Sequence, residues 1–145
     1  NWSVAENITI NLINQDEQNP VIAAGQSFYY EENQAAGTVV ANVAANDDIG
    51  VNGFRFSATG TNTSTDGYFE INNTGKITLT TSGADVLSEA NDFELDSNNF
   101  TLGIQASDAS GKWSSTEDVT LNVTNVDEAS PVIPATCLAR SVNLT

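Results

Sequence analysis

The most constraining feature of this sequence is that it repeats itself once, at a spacing of 111 residues. Residues 1–24 align with residues 112–135 without a gap, Trp2 falls on Trp113, and 12 of the 24 positions are identical. A period of this length is that of a whole domain, because solenoid units recur about every 20 to 50 residues. The chain is therefore predicted to hold one complete domain together with parts of two neighbours.

The repeat predicts three parts of the chain. Residues 1–19 form the last strand and the linker of a preceding repeat, residues 20–130 form one whole repeat, and residues 131–145 begin the next repeat or form a divergent tail. The apolar side chains of residues 4–13 have no domain of their own in this chain. Because unpaired strands recruit other strands, we expect this segment either to be mobile or to pair with an exposed edge of another molecule.

Within the complete repeat, short stretches of alternating polarity recur about every ten residues between turn residues, as in an antiparallel β-sandwich. Seven such stretches are predicted to be strands, at 27–30, 37–44, 53–57, 68–71, 76–80, 100–106 and 119–123. Gly75 ends the loop of a predicted hairpin, where it is free to take a positive φ. Residues 84–90 have a weak helical pattern that is too short for more than one or two turns. The fold is therefore predicted to be all-β.

The composition favours binding of a cation over catalysis. There are 19 Asp and Glu residues against 4 Lys and Arg, a net charge of −15, which repels nucleic acids and anionic membranes. The chain has no His and one Cys, Cys137, so a Ser-His-Asp or Cys-His system, an imidazole-bound metal and an internal disulfide are all excluded. The 18 Asn residues add further oxygen ligands, which suit a hard cation such as calcium. We expect no enzyme activity, no nucleic-acid partner and no direct insertion into a membrane.

Six motifs of the complete repeat stand in the order of a known family. They are FYYEENQAAGTVV at 28–40, NDDIGVNG at 46–53, FEINNTGKI at 69–77, NDFE at 91–94, FTLGIQASD at 100–108 and NVDEASP at 125–131. With these motifs the chain resembles the cadherin repeat, in the form found in large bacterial surface and secreted proteins. Asn46 and Asn91 depart from the family, which has Asp and Leu at these places. The resemblance implies a seven-stranded antiparallel Greek-key β-sandwich of the immunoglobulin-like, cadherin type.

The resemblance also implies calcium (Ca2+) at both ends of the repeat, with further ligands from the neighbouring repeats. At the C-terminal end the implied ligands are Glu32, Asp92, Glu94, Asn125, Asp127 and Glu128. At the N-terminal end the implied ligands are Asp16, Glu17, Asn46, Asp48, Asn52 and Asp108. Glu31 competes with Glu32, which we prefer because of the register of the Glu-Asn-x-x-x-Gly motif, and Asp47 is expected to point away.

Converging carboxylates conflict with folding unless a cation joins them. Two like charges about 4 Å apart cost about 1 kcal/mol in water and about 4 kcal/mol at an effective dielectric constant near 20. Bound calcium reverses this repulsion, so we expect it to stiffen the junction between repeats. The resemblance thus implies calcium-dependent adhesion, or a calcium-rigidified spacer, in a large extracellular or cell-surface protein whose parent is membrane-associated.

The expected partners are the neighbouring repeats of the same chain, with homophilic protein contact or a glycan as further candidates. The alternative function is that of a carbohydrate-binding module attached to a polysaccharide-acting protein. For that role Trp113 would stack on a sugar together with Tyr29, Tyr30 or Tyr68. Otherwise Trp113 is a packing residue at the start of the last strand.

Overall fold

The computed structural model of this chain describes residues 1–95 and 97–128. In these residues it contains no helix and nine β-strands. The strands are β1 Val21–Ile22, β2 Ser27–Glu31, β3 Val39–Asn42, β4 Ala45–Asn46, β5 Val51–Phe56, β6 Phe69–Ile71, β7 Lys76–Leu79, β8 Asn99–Asp108 and β9 Glu117–Thr124. The predicted start of a further repeat at 131–145 lies outside the described residues.

The all-β prediction is confirmed, and each of the seven predicted stretches overlaps one strand. The two further strands, β1 and β4, were not predicted. They have two residues each and pair with one another, Val21 opposite Asn46 and Ile22 opposite Ala45. Two residues are too few to show an alternation of polarity, so only the pairing itself identifies them. Residues 84–90 form turns.

The strands form two larger sheets that pack face to face. One has four strands in the order β2-β9-β8-β5, and the other has three in the order β3-β7-β6. All pairs within them are antiparallel except β2 and β9, which run parallel. This pair departs from the antiparallel arrangement that the sequence predicts. These strands are joined through the whole domain rather than by a hairpin, so the connection does not force them to be antiparallel.

The core lies between the two larger sheets and explains why these stretches alternate. In β9 the inward residues Val119, Leu121 and Val123 are at most 3% exposed, while the residues between them are not buried. From the opposite sheet Phe69 packs on Phe100 of β8, with ring centroids 5.2 Å apart. Full burial of such side chains stabilises the fold by about 1.5–3 kcal/mol each.

The β6–β7 hairpin forms as predicted, with Gly75 at φ 83°. The Asn72 side-chain oxygen accepts hydrogen bonds from the backbone N–H groups of Thr74 (2.9 Å) and Lys76 (3.0 Å) and so closes the loop. A Cβ atom on Gly75 would lie 2.6 Å from the carbonyl oxygen of Val43. Both the turn and the close approach of Val43, which follows β3, therefore require glycine here.

The N-terminal segment stays outside the sandwich. Residues 1–20 contain no strand, and the Ile8, Ile10 and Leu12 side chains are 85%, 89% and 100% exposed. The predicted last strand of a preceding repeat is thus not formed within this chain. Among residues 1–95 and 97–128, no helix has the length and apolar character needed to span a membrane.

The long strand β8 fixes the distance between the two ends of the sandwich. It has 10 residues, so its ends are about 30 Å apart. At one end Asp108 lies opposite Val51, and at the other Asn99 lies opposite Asn122, next to the end of β2. The predicted ligands gather at these two ends.

Candidate metal centres

The carboxylates of Glu32, Asp92 and Glu94 come together where β2 ends, and we call them the C-terminal cluster. One oxygen of each lies within 4.8 Å of the others. Oxygens that bind one calcium ion at about 2.3–2.6 Å are at most about 5 Å apart, so this spacing is compatible with a shared ion. The cluster can therefore hold a metal ion.

Glu32 is the buried member of this cluster. Its side chain is 2% exposed, Oε1 accepts a hydrogen bond from the Val126 N–H, and Oε2 accepts one from the Phe93 N–H, both at 2.7 Å. The alternation of β2 explains the burial, because Tyr30 and Glu32 face inward while Glu31 is exposed. Glu32 thus ties the linker after β9 and the loop before β8 to the end of β2.

The remaining predicted residues of this end line one open depression of about 420 Å³. Its lining consists of Asp92, Glu94, Asn125, Val126, Asp127 and Glu128. Asn125 Nδ2 donates to Glu94 Oε1 at 2.9 Å, and Asn33 Nδ2 donates to Glu128 Oε1. Partial desolvation raises the pKa of Glu94, and the negative charge of Glu32 raises it further. The structure therefore brings all six residues predicted for the C-terminal end to one place.

A second group, which we call the N-terminal cluster, consists of Asp16, Asp47 and Asp108. One oxygen of each lies within 4.8 Å of the others. Asp108 ends β8 and is 2% exposed, Asp47 follows β4, and the Asp16 side chain, from the linker before β1, is 6% exposed. Three separate segments thus bring one carboxylate each to this end of the sandwich.

The N-terminal cluster contains four buried oxygens that accept no hydrogen bond, and one of them, Asp16 Oδ1, lies beside a lysine. They are both carboxylate oxygens of Asp16, Oδ1 of Asp47 and Oδ2 of Asp108. Buried carboxylate oxygens without partners are costly, and they are compensated by pairing or by a metal. Carboxylate oxygens are the ligands that calcium prefers, so the residues present fit this ion.

One positive charge approaches this cluster. Lys112 Nζ lies 3.2 Å from Oδ1 of Asp16 and donates a hydrogen bond to the Asp16 backbone oxygen at 2.7 Å. The nearby Ser110 side chain lowers the pKa of Asp16, burial acts in the opposite direction, and Lys112 adds to the lowering. Asp16 therefore carries its negative charge at neutral pH.

Solved structures of cadherin and protocadherin extracellular domains have this fold. The extracellular domain of protocadherin gammaB4 matches 77% of this chain with 27% identity and a TM-score of 0.54. Domains EC1-2 of human protocadherin-24 match 83% with 19% identity and a TM-score of 0.58, and domains EC1-2 of chicken VE-cadherin match 77% with 21% identity and a TM-score of 0.57.

The chain contains a cadherin-like domain. Its match covers 16% of the protocadherin gammaB4 structure and about half of the other two, 51% and 52%. No protein-family model and no curated protein matches the chain. The cadherin-like domain thus has the all-β, immunoglobulin-like sandwich that the sequence motifs predicted. The bacterial context of the repeat stays a prediction.

At the N-terminal end of the cadherin-like domain, Asp47 takes the place expected for Asp48. We predicted that Asp47 points away, and this is wrong. Asp47 Oδ2 accepts hydrogen bonds from the Ile49 and Gly50 N–H groups at 3.0 and 3.1 Å, which turns its carboxylate inward, and Gly50 permits the turn with φ 107°. Asp48 is exposed. The motif spacing alone does not reveal this turn.

The other three residues predicted for this end are exposed. Asn46 pairs with Val21 in the short β1–β4 ladder, Asn52 lies in β5, and Glu17 lies in the linker. Asp16 and Asp108 are thus the predicted residues that the structure brings into the N-terminal cluster, together with Asp47.

Asn91 has a structural role that the sequence motifs did not predict. Its side chain is 2% exposed, Nδ2 donates to the backbone oxygens of Gln34 (3.0 Å) and Ala84 (2.9 Å), and Oδ1 accepts from the Gln34 N–H at 2.7 Å. The residue that departs from the family's leucine therefore joins two loops of the cadherin-like domain beside the C-terminal cluster.

Trp113 packs within the cadherin-like domain. It bridges to Ser107, and the guanidinium carbon of Arg55 lies 3.8 Å from the centre of its ring. Such a cation–π contact contributes about 0.5–1 kcal/mol at partly exposed sites. Tyr30 is also internal: its hydroxyl donates to the Ala90 oxygen at 2.7 Å, and burial raises its pKa well above the usual value.

Proposed function

We propose that this chain is a calcium-binding cadherin-like repeat that acts as a calcium-rigidified spacer or adhesion unit of a larger extracellular or cell-surface protein. The observation that carries the proposal is the N-terminal cluster, where four buried carboxylate oxygens accept no hydrogen bond and one lysine, paired with Asp16 Oδ1, faces three carboxylates. The C-terminal cluster, at the other end of β8, provides a second set of oxygen ligands. Both sets lie where a linker meets the domain, which is where a cation would control the angle between neighbouring domains.

Four side chains would hold calcium or place a linker beside it. Asp47 and Asp108 fix two carboxylates on the domain, and Asp16 adds one from the linker. At the other end Glu32 holds the backbone of Val126 and so places the outgoing linker over the C-terminal cluster. When bound, calcium supplies positive charge that cancels the repulsion among these groups. Each linker is then restrained against the domain.

The burial of the two repeat copies supports placement of the chain within an array. Val119, Leu121 and Val123 of β9 are buried, whereas the equivalent Ile8, Ile10 and Leu12 are exposed. The apolar side chains of β9 are therefore covered by a sheet, whereas the equivalent side chains of residues 1–19 are not. We propose that residues 1–19 are the last strand and linker of a preceding repeat, whose own sheet would cover these side chains, and that residues 20–130 are one repeat.

Thermal unfolding in calcium and in chelator tests the metal assignment. At a free calcium concentration 100 times the Kd, one site stabilises the native state by about 2.7 kcal/mol, which raises the Tm by roughly 10 °C for a domain of this size. The exchange Asp118→Asn serves as a control, because Asp118 is an exposed carboxylate outside both clusters, and this variant should keep the full shift. An identical Tm in calcium and chelator would remove the calcium proposal and leave the fold unaffected.

Small-angle scattering tests the spacer role separately. Two consecutive repeats of the parent protein should have a narrow distribution of interatomic distances in calcium and a broader one in chelator. Equal distributions under both conditions would exclude rigidification while permitting calcium binding.

The alternative role in carbohydrate binding is not supported. Of the aromatic residues between 20 and 128 that the structure describes, Tyr29 alone is largely exposed, at 72%, while Tyr68 and Trp113 are partly covered. A sugar-stacking platform uses an exposed pair of rings on one face, which these described residues do not provide. The proposed partners of this chain are therefore neighbouring repeats and partner protein chains, without a glycan.

A further inference from the structure

Lys112 is fixed by the same turn that holds Asp108. The Lys112 N–H donates to Asp108 Oδ1 at 2.9 Å, and the Asp108 N–H donates to the Lys112 carbonyl oxygen at 3.1 Å. These two bonds close the loop after β8. The base of the lysine side chain is therefore held by the domain itself, beside the N-terminal cluster.

The ammonium group of Lys112 reaches across to the linker. Its contacts with Asp16, at 2.7 Å to the backbone oxygen and 3.2 Å to Oδ1, join residues that are 96 positions apart in the chain. In the part of the chain that the structure describes, this is the one ion pair. Lys112 thus attaches the linker to the domain through protein groups alone.

The repeat indicates that this lysine is particular to one copy. Asn1 stands at the position equivalent to Lys112, so the neighbouring copy has an uncharged side chain there. The C-terminal cluster also differs, because its described hydrogen bonds come from backbone N–H groups and from Asn125. Among the described contacts of the two clusters, an ammonium group therefore approaches the N-terminal cluster and not the C-terminal one.

We propose that Lys112 is a built-in counter-cation that keeps the incoming linker docked on the domain when calcium is absent. It is a positioning residue that acts through Asp16. The N-terminal junction would then retain order in chelator, whereas the C-terminal junction has no such ammonium among its described contacts. The metal-free part of this proposal does not depend on calcium binding, and only the effect of adding calcium rests on the proposed function.

Limited proteolysis of the linker tests the proposal in the full chain. A glutamyl endopeptidase cleaves after Glu17, next to Asp16, and its rate follows the fraction of undocked linker when opening is fast. In chelator, Lys112→Gln should raise the cleavage rate at Glu17 about fivefold, in line with the loss of one ion pair whose lysine is partly exposed. Lys112→Arg should restore much of the protection, and Lys76→Gln, which removes an exposed charge from β7, should have no effect.

A second variant keeps the test valid if Lys112→Gln affects folding. Asp16→Asn, in the linker outside the sandwich, removes the ion pair with Lys112 but keeps the bond to the backbone oxygen. It should accelerate cleavage at Glu17 by less than Lys112→Gln does, while leaving the Tm in chelator within a few degrees of the unmodified chain. Unchanged cleavage in both variants, or equal acceleration by Lys76→Gln, would overturn the proposal. If calcium fails to slow cleavage in any chain, the calcium function fails, while a faster rate of Lys112→Gln in chelator still supports the docking role.

Discussion

The two acidic clusters of this domain contain the same type of residue but use it differently. In the C-terminal cluster, both oxygens of Glu32 accept hydrogen bonds from backbone N–H groups, and Glu94 is exposed. In the N-terminal cluster, Asp16, Asp47 and Asp108 hold four buried oxygens that accept no hydrogen bond, and one of these, Asp16 Oδ1, lies 3.2 Å from the Lys112 ammonium. Glu32 therefore stabilises the backbone around it, whereas the carboxylates of the N-terminal cluster carry negative charge that the protein balances only in part. Four substitutions test this difference.

Replacement of Glu32 should have the largest effect on stability. Glu32→Ala removes the charged acceptor of two N–H groups, which we expect to lower the free energy of unfolding in chelator by about 3 kcal/mol. The matched control is Glu31→Ala, one residue earlier and exposed, which should change it by less than about 0.5 kcal/mol. Urea unfolding measures both. Similar losses for the two variants would contradict a framework role for Glu32.

Asp108 should respond in the opposite way. Asp108→Asn keeps an oxygen acceptor for the Lys112 N–H but removes one of three neighbouring charges. In chelator we expect the free energy of unfolding to stay equal or to rise by about 1 kcal/mol. In calcium at 100 times the Kd of the unmodified chain, a tenfold weaker site would reduce the gain from about 2.7 to about 1.4 kcal/mol, so the variant should lose about 1.3 kcal/mol of it. A strong loss in chelator would mean that Asp108, like Glu32, is part of the framework.

Asp47 and Asp48 distinguish the structure from the sequence motif. Asp47→Asn should weaken calcium binding about tenfold, because the number of charged ligands sets the affinity of such sites. Asp48→Asn, which leaves the N-terminal cluster intact, should change the Kd less than about twofold. Calcium titration calorimetry measures the Kd of both variants. A larger increase in Kd for Asp48→Asn than for Asp47→Asn would support Asp48 as the ligand, as the motif spacing predicted.

Glu94 should have the smallest effect on the fold. Its side chain is exposed and accepts one hydrogen bond, from Asn125 at 2.9 Å. Glu94→Gln keeps an oxygen acceptor, so we expect the Tm in chelator to change by less than about 2 °C. Differential scanning calorimetry measures this change. A large drop would show that the exposed rim of the C-terminal cluster also supports the fold.

The secondary structure could be predicted where side chains alternate over four or more residues. β8 and β9 are the clearest cases, because each has one face in the core. The pair β1–β4 could not be predicted, since two residues define no period. The parallel pairing of β2 with β9 also could not be predicted, because partners distant in the chain are chosen by the packing of the whole sheet.

The candidate site was predicted best where it follows a strand. Glu32 continues the inward face of β2, so the motif register and the alternation both favoured it over Glu31. Asp47 was missed because its direction depends on a turn closed by its own carboxylate. Lys112 was missed because its partner, Asp16, is 96 residues away in the sequence.

The sequence by itself determined the all-β class, the length of the repeat and the acidic character of both ends, since these depend on local alternation, on self-similarity and on composition. Only the tertiary structure decided which carboxylates meet, which are already satisfied by backbone N–H groups and where a lysine balances the charge. These properties depend on distances between residues remote in the chain and on burial, which removes the water that would otherwise solvate each charge.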